Sequence, residues 1–330
     1  MTVEKIKHKK LIITLSIILI FLLTVAVTIF AIIKIGEYRL KNDLLADEKI
    51  ELSDDYDYSA DVYHNGKAYY YNEDIVNVLM LGVDRFAALK ESQGQADSIY
   101  LASINTKEKQ VNIFAISRNT LADVDVFGAD GNYCATENQQ ICLSYAYGKD
   151  DEQSSLNCAK SVSRLLYGIP INAYYTIHLD AVADIVNAVG SVEVILNEDL
   201  PLAFPNKSKG DKIVINGSNA LGYLRARGES NAPRLERQKD FINKFIALAK
   251  SKTSKDLSLP VSIYKKLSKR ATTNIDVSSV SYMASQLVNA KINTLTIDGV
   301  TGFDGKYETF EVDKEKLYSL VLEKFYTVKK

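Results

Sequence analysis

The feature that most constrains this chain is an uncharged apolar segment close to its start. The residues from Leu11 to Ile33 carry no charge, and a cluster of lysines precedes them. A helix of this length extends about 34 Å, which is enough to cross a bilayer core of about 30 Å. A helix on the surface of a globular core would show a polar face, which this segment lacks. We therefore predict a transmembrane helix over 11–33, with a cleavable signal peptide as the alternative.

The transmembrane helix divides the chain into four predicted segments. They are a basic cytoplasmic tail over 1–10, the transmembrane helix over 11–33, an acidic extracellular stalk or spacer over 34–73 and a folded domain over 74–330. Basic residues are balanced on the two sides of the helix, so the positive-inside rule gives only a mild preference for a cytoplasmic N-terminus. We expect a single-pass protein of the cell membrane with an extracellular domain.

Apolar runs typical of strands alternate with helical periodicities throughout the folded domain. The predicted strands are 76–82, 98–105, 110–116, 173–179, 192–196 and 293–297, and the predicted helices are 154–167, 180–189, 235–250, 259–268, 277–289 and 313–326. This alternation predicts a single α/β domain with a central β-sheet flanked by helices. The sequence has no GxxxxGK(S/T), GxGxxG or GxSxG motif, which argues against the common nucleotide-binding and hydrolase signatures.

The composition argues against two further classes of protein. A net charge of −1 gives no electrostatic reason to expect a nucleic-acid partner. Three cysteines without a CxxC pair, together with three histidines, argue against a structural zinc site. Cys134 and Cys142 lie close together in a segment that we interpret as a loop. Their spacing leaves two alternatives open, a disulfide in an oxidising compartment and free thiols.

Arginine is concentrated in the segment 220–238. Arg225 and Arg227 are two residues apart, so an extended backbone would direct them to the same side. Arg234 and Arg237 are three residues apart, so a helix would place them on one face. Guanidinium groups bind phosphate oxygens bidentately, which an ammonium group cannot do. The segment is therefore interpreted as a phosphate-binding element; a solvated loop that leads into an ordinary helix is the alternative.

A helix is expected to begin inside the same segment. Asn231 is a suitable N-terminal cap, and Pro233 suits the first turn. The free backbone N–H groups at the start of a helix bind anions readily. This expectation strengthens the interpretation of the segment as a phosphate-binding element.

Two carboxylates and a further arginine lie at the ends of predicted strands. Asp84 follows the first strand, Asp97 precedes the second, and Arg118 follows the third. Ligands of open α/β sheets bind beyond strand ends. Carboxylates without a nearby histidine suit a hard cation such as Mg²⁺, which keeps waters and phosphate oxygens in its shell. Simple turn-capping by the two acids is the alternative.

These stretches, taken together, resemble the LytR-CpsA-Psr family. The matching residues, in order, are Asn77–Asp84, Asp97–Ser98, Arg118, Tyr145–Gly148, Ala220–Arg227 and Arg234–Gln238. The resemblance extends from about residue 74 to the C-terminus. It implies a membrane-anchored extracellular enzyme that transfers a glycopolymer, of teichoic acid or capsular polysaccharide type, from a polyprenyl-pyrophosphate carrier to peptidoglycan. The implied reaction is a Mg²⁺-assisted phosphotransfer.

The resemblance also implies roles for individual residues. Asp84 and Asp97 are expected to hold Mg²⁺, with Mn²⁺ as a second choice. The residues expected to contact the pyrophosphate are Arg118, Arg225, Arg227, Arg234, Arg237 and Gln238, and the first three of these are the expected catalytic arginines.

The chain departs from the family's pattern at five positions. It has Gln95 in place of an arginine, Asn119 and Asn231 in place of aspartates, Gln140 in place of a lysine and Cys142 in place of an asparagine. These departures leave two other functions open. One is a homologue that binds polyprenyl-phosphate lipids as a scaffold or regulator without turnover, and the other is a cell-surface lipid pyrophosphatase.

Overall fold

A computed structural model describes residues 23–42, 61–84, 94–128, 130–226 and 231–328. Helix α1 covers 23–42 and contains the last part of the predicted transmembrane helix. The predicted tail over 1–10 and the segment 11–22 lie outside the described residues, so the membrane crossing stays a prediction. Within the described part of the chain, no helix is both long enough and apolar enough to span a bilayer.

The remaining strands and helices form a mixed α/β domain. The strands are β1 (Val62–His64), β2 (Lys67–Tyr71), β3 (Ile75–Asp84), β4 (Gln95–Asn105), β5 (Gln110–Ile116), β6 (Leu121–Phe127), β7 (Tyr133–Gln140), β8 (Ala173–His178), β9 (Val192–Ile195), β10 (Lys212–Ile215), β11 (Ala271–Thr273), β12 (Lys291–Thr296), β13 (Gly299–Phe303), β14 (Glu308–Val312) and β15 (Tyr326–Val328). The helices are α2 (Leu143–Ala146), α3 (Asp151–Leu165), α4 (Val182–Val189), α5 (Ala220–Arg225), α6 (Asn231–Lys255), α7 (Leu259–Leu267), α8 (Val277–Leu287) and α9 (Lys314–Phe325). The predicted fold class is confirmed.

The central sheet has the strand order β11-β8-β3-β4-β5-β12. β3, β4 and β5 form an antiparallel meander, whereas β8 runs parallel to β3 and β12 runs parallel to β5. The central strand β3 is buried along almost its whole length, because helices cover both faces of the sheet. A strand covered on both faces needs apolar side chains on both, which explains its nearly continuous apolar sequence. Asn77, a buried polar residue of this strand, donates a hydrogen bond of 2.8 Å to the carbonyl of Pro170.

Three hydrophobic clusters hold the helices in place. The first packs α3 and α9, through residues such as Val162 and Phe325, against Leu79 on one face of the sheet. The second packs α1, α7 and α8 against the other face, where Leu40 of α1 meets Val76 of β3. The third joins α4, α5 and α6 to the small antiparallel sheet of β9 and β10. The third cluster positions the arginine segment.

Each strand and helix predicted from the sequence is present, with bounds that differ by a few residues. Asp313 caps α9 as predicted, because its carboxylate accepts from the backbone N–H of Lys316 at 3.1 Å. The strands that the sequence did not predict lie outside the central sheet, apart from β11. β7, for example, has the sequence Tyr-Cys-Ala-Thr-Glu-Asn-Gln-Gln and lacks the apolar run or alternation that marks a strand.

The expected spacer over 34–73 is not a separate segment. Residues 34–42 continue helix α1, whose Leu40 is 3% exposed in the second cluster. Strands β1 and β2 pair with each other, and β2 pairs with the C-terminal strand β15. Residues 43–60 lie outside the described residues. The folded domain therefore takes in both described parts of the expected spacer.

The expected loop around the first two cysteines is also wrong. Cys134 lies near the start of strand β7, and Cys142 follows its end. A strand of this length holds the two thiols about 25 Å apart at 3.3 Å per residue, whereas a disulfide needs Cα atoms within about 7 Å. All three cysteines are free thiols.

Candidate functional site

The two strand-end carboxylates lie at the same end of the central sheet. β3 ends at Asp84, which pairs with Gln95 at the start of β4. The register of the two strands shifts between Gly82 and Val83, and Asp97 is the extra residue of the resulting β-bulge. Bulges re-aim a side chain and are frequent beside functional sites. The expectation that both acids share one sheet end is confirmed.

Arg118 lies in the turn that follows β5 and faces the start of β4. Its guanidinium forms an ion pair with the carboxylate of Asp97 and donates a hydrogen bond to the side-chain oxygen of Gln95. The same group lies 3.4 Å from the sulfur of Cys142. Its Nε is buried and has no hydrogen-bond partner among the described residues. The carboxylate of Asp97 therefore faces a guanidinium that keeps an unused donor.

Arg225 is the last residue of α5 and forms an ion pair with Asp84. The Arg225 side chain is 48% exposed, so solvent and ligands can reach its guanidinium. The expected extended backbone at this position is wrong, because α5 continues to Arg225 and the third cluster buries Tyr223 two residues earlier. Arg227 lies outside the described residues, and its expected role stays a prediction.

Arg237 and Gln238 of α6 hold the C-terminal end of α5. The Arg237 side chain is completely buried, forms an ion pair with Glu198 and lies over the ring of Tyr223. Arg237 donates hydrogen bonds to the backbone carbonyl oxygens of Tyr223 and Ala226, and Gln238 donates to that of Leu224. The last carbonyl groups of a helix have no partner within the helix, so these donors cap α5. They fix the end of the helix that carries Arg225.

The remaining arginine of the segment lies in the first turns of α6. Arg234 is half-buried and is one helical turn from Arg237, as the spacing predicted. α6 begins at Asn231, and Pro233 lies in its first turn, as predicted. The side chains of Asn231 and Pro233 lie outside the described residues, so capping by Asn231 stays a prediction.

Four of the five departures from the family's pattern surround Arg118. Gln95 and Cys142 contact its guanidinium directly. Asn119 is the next residue, and its side-chain oxygen lies 3.4 Å from Nε2 of Gln140. The same nitrogen of Gln140 donates to the carbonyl of Glu308 at 2.7 Å. Two neutral amides therefore contact each other where the family's pattern has an aspartate and a lysine.

The thiol of Cys142 stays protonated in this environment. Burial raises its pKa, and the nearby Arg118 guanidinium offsets only part of that rise. The thiol is therefore a neutral neighbour of Arg118 and is not a thiolate nucleophile at neutral pH.

The strand-end acids have the chemistry of a site for a hard cation. Asp84, Asp97 and Gln95 offer carboxylate and amide oxygens, the ligand types that Mg²⁺ prefers. Each carboxylate is already paired with an arginine, so a cation would share these acids with the guanidinium groups. Within the described ranges, no group of three or more His, Cys, Asp or Glu side chains is arranged to hold a metal. These three side chains therefore fit a cation whose remaining ligands are water molecules and the oxygens of a bound phosphate.

A second polar network at the same sheet end was not identified from the sequence. His178 ends β8, is the register partner of Val83 and lies 3.7 Å from the carboxylate of Asp151. The hydroxyl of Tyr145 donates to that carboxylate at 2.9 Å. The sequence did contain a signal for His178. It lies near the end of the predicted strand 173–179, the same kind of position as Asp84 and Arg118.

A protein-family model described as the LytR_cpsA_psr family matches residues 38–324. The chain belongs to the LytR_cpsA_psr family. It is similar to the polyisoprenyl-teichoic acid–peptidoglycan teichoic acid transferase TagV of Bacillus subtilis, with 26% identity over 90% of this chain and 75% of the relative.

Solved structures of the same family share the fold. The crystal structure of B. subtilis TagV is 25% identical and has a TM-score of 0.57 over 76% of this chain and 96% of that chain. A structure of TagT bound to LIIa-WTA is 23% identical, with a TM-score of 0.56 over 76% of this chain and 89% of that one. This LytR_cpsA_psr protein therefore has the mixed sheet and flanking helices of its relatives.

Proposed function

We propose that this protein transfers a glycopolymer from a polyprenyl-pyrophosphate carrier to peptidoglycan. The observation that carries the proposal is the pair of carboxylate–arginine contacts, Asp97 with Arg118 and Asp84 with Arg225, at one end of the central sheet. Family membership supports it, and so does a relative named as a teichoic acid–peptidoglycan transferase. Teichoic acid and capsular polysaccharide are the proposed polymer types.

The proposed reaction is a displacement at phosphorus. A hydroxyl of the acceptor attacks the phosphorus that carries the sugar, and a new oxygen–phosphorus bond forms. The bond from that phosphorus to the bridging oxygen breaks, and polyprenyl phosphate leaves with the electron pair. The proton of the hydroxyl passes to a strand-end carboxylate or to water. Such reactions need positioning and neutralisation of charge more than covalent chemistry from the protein.

The arginines supply the charge neutralisation in this proposal. Arg118 and Arg225 are partly exposed, and each is held by an acid on a neighbouring element, which fixes the guanidinium before a ligand arrives. Groups fixed in advance stabilise developing charge without a reorganisation cost. Arg237 and Gln238 act indirectly, because they cap the helix that ends at Arg225. Direct pyrophosphate contacts by Arg227 and Arg234 remain part of the proposal. The direct contacts expected of Arg237 and Gln238 are not, because the Arg237 side chain is completely buried and the Gln238 amide donates to the carbonyl of Leu224.

A cation is proposed at Asp84 and Asp97, with Gln95 as a further oxygen ligand. When bound there, Mg²⁺ would neutralise phosphate oxygens and polarise the phosphorus–oxygen bond. Mn²⁺ is an alternative, because it accepts the same oxygen ligands. The proposed location is the cell membrane, with the folded domain outside the cell.

The test is a transfer assay with the purified full chain in detergent. A lipid-linked glycopolymer donor, a peptidoglycan oligomer and Mg²⁺ should give a linked product, and a chelator should prevent its formation. Arg118→Ala should lower the rate by about 100-fold, the usual effect of removing one charge-stabilising donor. Arg270→Ala is the matched control, because Arg270 is also paired with acids, Asp180 and Asp184. Failure of the unmodified chain to form product would contradict transferase activity.

The four neutral side chains at and around Arg118 that replace the family's residues favour a second candidate, a protein that binds the lipid without turnover. The Asn119–Gln140 contact and the Gln95 side chain provide hydrogen bonds but no charge. Retention of a polyprenyl-phosphate lipid through purification, without product in the transfer assay, would support this candidate. Release of orthophosphate in the absence of an acceptor would instead indicate a lipid pyrophosphatase.

A further inference from the structure

Helix α1 is packed into the folded domain and is not a loose tether. A side chain at Gly36 would place its Cβ 2.0 Å from the carbonyl oxygen of Ser278, so the two backbones are in direct contact. Leu40 is buried in the second hydrophobic cluster, and Arg39 forms an ion pair with Asp276, the cap of α8. These contacts lie on one face of the last turns, because Arg39 and Leu40 follow Gly36 by three and four residues, and they fix the direction in which α1 leaves the domain.

The first part of α1 exposes apolar side chains around its whole circumference. The exposed apolar residues are Leu23, Val25, Val27, Ile29, Phe30, Ile32 and Ile35. Successive residues of a helix are rotated by about 100°, so these positions cover every side. A helix that is apolar all round is stable in a protein core or in lipid, and the domain covers only its C-terminal part. Lipid is the environment that fits the exposed part.

α1 meets the domain at the end of the sheet that is opposite the candidate site. The ammonium of Lys41 lies 3.7 Å from the carboxylate of Asp74, the residue before β3, and Lys107 of the β4–β5 turn lies 3.8 Å from the same carboxylate. Asp84 is at the other end of β3. Ten residues of strand extend about 33 Å. The lipid-compatible helix and the site therefore lie at opposite ends of the domain.

Basic side chains are exposed at the α1 end of the sheet. Lys107 and Lys109 belong to the β4–β5 turn, and the N–H of Lys291 donates to the carbonyl of Lys109 at 2.9 Å. The C-terminal end of α6, Lys255, lies at the same end of the sheet. Lys250 of this helix donates from its ammonium to the carbonyl of Ala290, the residue before Lys291. Three acids close to α1, Glu37, Asp74 and Asp276, are each ion-paired with a basic residue. The same end also exposes Glu73, Glu108 and Asp256. Exposed lysines beside a membrane helix are attracted to the headgroups of anionic lipids.

We propose that this end of the domain rests on the headgroups of an anionic bilayer, with α1 as a rigid connector and the candidate site facing away from the membrane. Phe30, which is 62% exposed, is three residues before Ile33, the first residue of α1 that packs against the second cluster, or about 4.5 Å along the helix. That distance leaves no room for a spacer. Tyr38 and Arg39, both exposed, lie at the level where aromatic and basic residues anchor membrane proteins. This inference is independent of the proposed transferase activity.

The test measures the distance of two labelled positions from a bilayer. The full chain, with the exposed Cys134 changed to serine, is reconstituted in vesicles of phosphatidylglycerol and phosphatidylcholine that carry an acceptor dye. A donor dye is placed by Lys255→Cys at the α1 end or by Lys269→Cys, which precedes β11 at the site end. Energy transfer should be several-fold more efficient from position 255. Equal efficiencies, or a higher efficiency from position 269, would overturn the proposal.

A second measurement tests the rigid contact of α1. Gly36→Leu should reduce the difference between the two labels, because the new side chain cannot fit against Ser278. Ile35→Leu changes an exposed position beside Gly36 and keeps its apolar character, so it should leave the difference unchanged. An unchanged difference in the folded Gly36→Leu chain would contradict rigid docking. Energy transfer between two copies labelled at position 255, without transfer to lipid, would show that a second copy of the chain covers α1.

Discussion

Two arginines of the segment 220–238 illustrate opposite uses of the same side chain. Arg225 is half-exposed at the end of α5, and its partner Asp84 lies on another element at the edge of the central sheet. Arg237 is fully buried in the third cluster, where it binds Glu198 and backbone carbonyls. The first guanidinium can exchange its partner for an incoming phosphate. The second cannot be withdrawn without leaving buried polar groups unpaired.

The difference shows that a cluster of arginines in a sequence is not one binding surface. The spacing of Arg225 and Arg237 places them in the same corner between α5 and α6, yet one faces the site and the other holds the corner together. Loss of Arg225 is expected to affect chemistry, and loss of Arg237 to affect folding first.

The largest expected effect is on stability. Arg237→Ala should lower the free energy of unfolding by about 3–5 kcal/mol, because it leaves the Glu198 carboxylate, which is only 12% exposed, without its partner. Urea unfolding of the detergent-solubilised chain measures this change. The double variant Arg237→Met with Glu198→Gln should recover much of the loss, since it leaves no buried charge. A loss no larger than that of Arg270→Ala would contradict a structural role for Arg237.

The next effect is on activity. Arg225→Ala should lower the rate of the proposed transfer by about 100- to 1000-fold, as expected for loss of a preorganised charge donor. Its free energy of unfolding should change by less than about 1 kcal/mol, because the pair with Asp84 is partly exposed. The transfer assay and urea unfolding are measured on the same preparations. A large loss of stability would place Arg225 in the same class as Arg237.

A third arginine extends the comparison, because the stability that its ion pair contributes should depend on pH. Arg164 of α3 binds the buried carboxylate of Asp125 on β6, at 2.7 Å. Burial alone would raise the pKa of Asp125, but hydrogen bonds from Arg164 and Thr136 outweigh it, so the pKa lies below its ordinary value. The contribution to stability is therefore complete above about pH 4, the unfolded pKa, and is lost as pH falls through the lower folded pKa.

Asp125→Asn should accordingly lower the free energy of unfolding by about 1.5–3 kcal/mol at pH 7, the value of a hydrogen bond to a charged group. The difference from the unmodified chain should shrink as the pH falls below about 4. Urea unfolding at pH 7 and pH 3 measures both values. A difference that grows toward low pH would reverse the assigned sign.

The smallest expected effect concerns the neutral contact beside Arg118. Asn119→Asp combined with Gln140→Lys replaces two touching amides with an ion pair. If charge at this contact limits the proposed transfer, the rate should rise by up to about tenfold, or about 1.4 kcal/mol. Asn119→Asp alone is the control, because it adds an unpaired acid next to Arg118. An unchanged rate in the double variant would show that the neutral pair is sufficient.

Much of the fold could be predicted because the central sheet carries strong local signals. β3 and β5 are short apolar runs covered on both faces, and α4 and α9 show helical spacing. β7, β13 and β14 could not be predicted, since exposed ribbons such as β7 are fixed by pairing with a neighbour and not by their own composition. β6 alternates apolar and polar residues, a strand signal that the sequence reading missed. Pairing also explains why the expected spacer is part of the folded domain. β2 pairs with β15, which is distant in the sequence, and the sequence of β2 alone does not show this contact.

The sequence by itself determined the family, the α/β class and the placement of Asp84, Asp97 and Arg118 at strand ends, because these depend on local runs and their order. Only the tertiary structure decided which acid meets which arginine, and that Arg237 faces inward while Arg225 faces the site. Burial of a long side chain depends on what packs above it. Here that is the end of α5 and Glu198, and Glu198 is distant in sequence from α6. Residue type and spacing give the chemistry that is available, and packing decides where it is used.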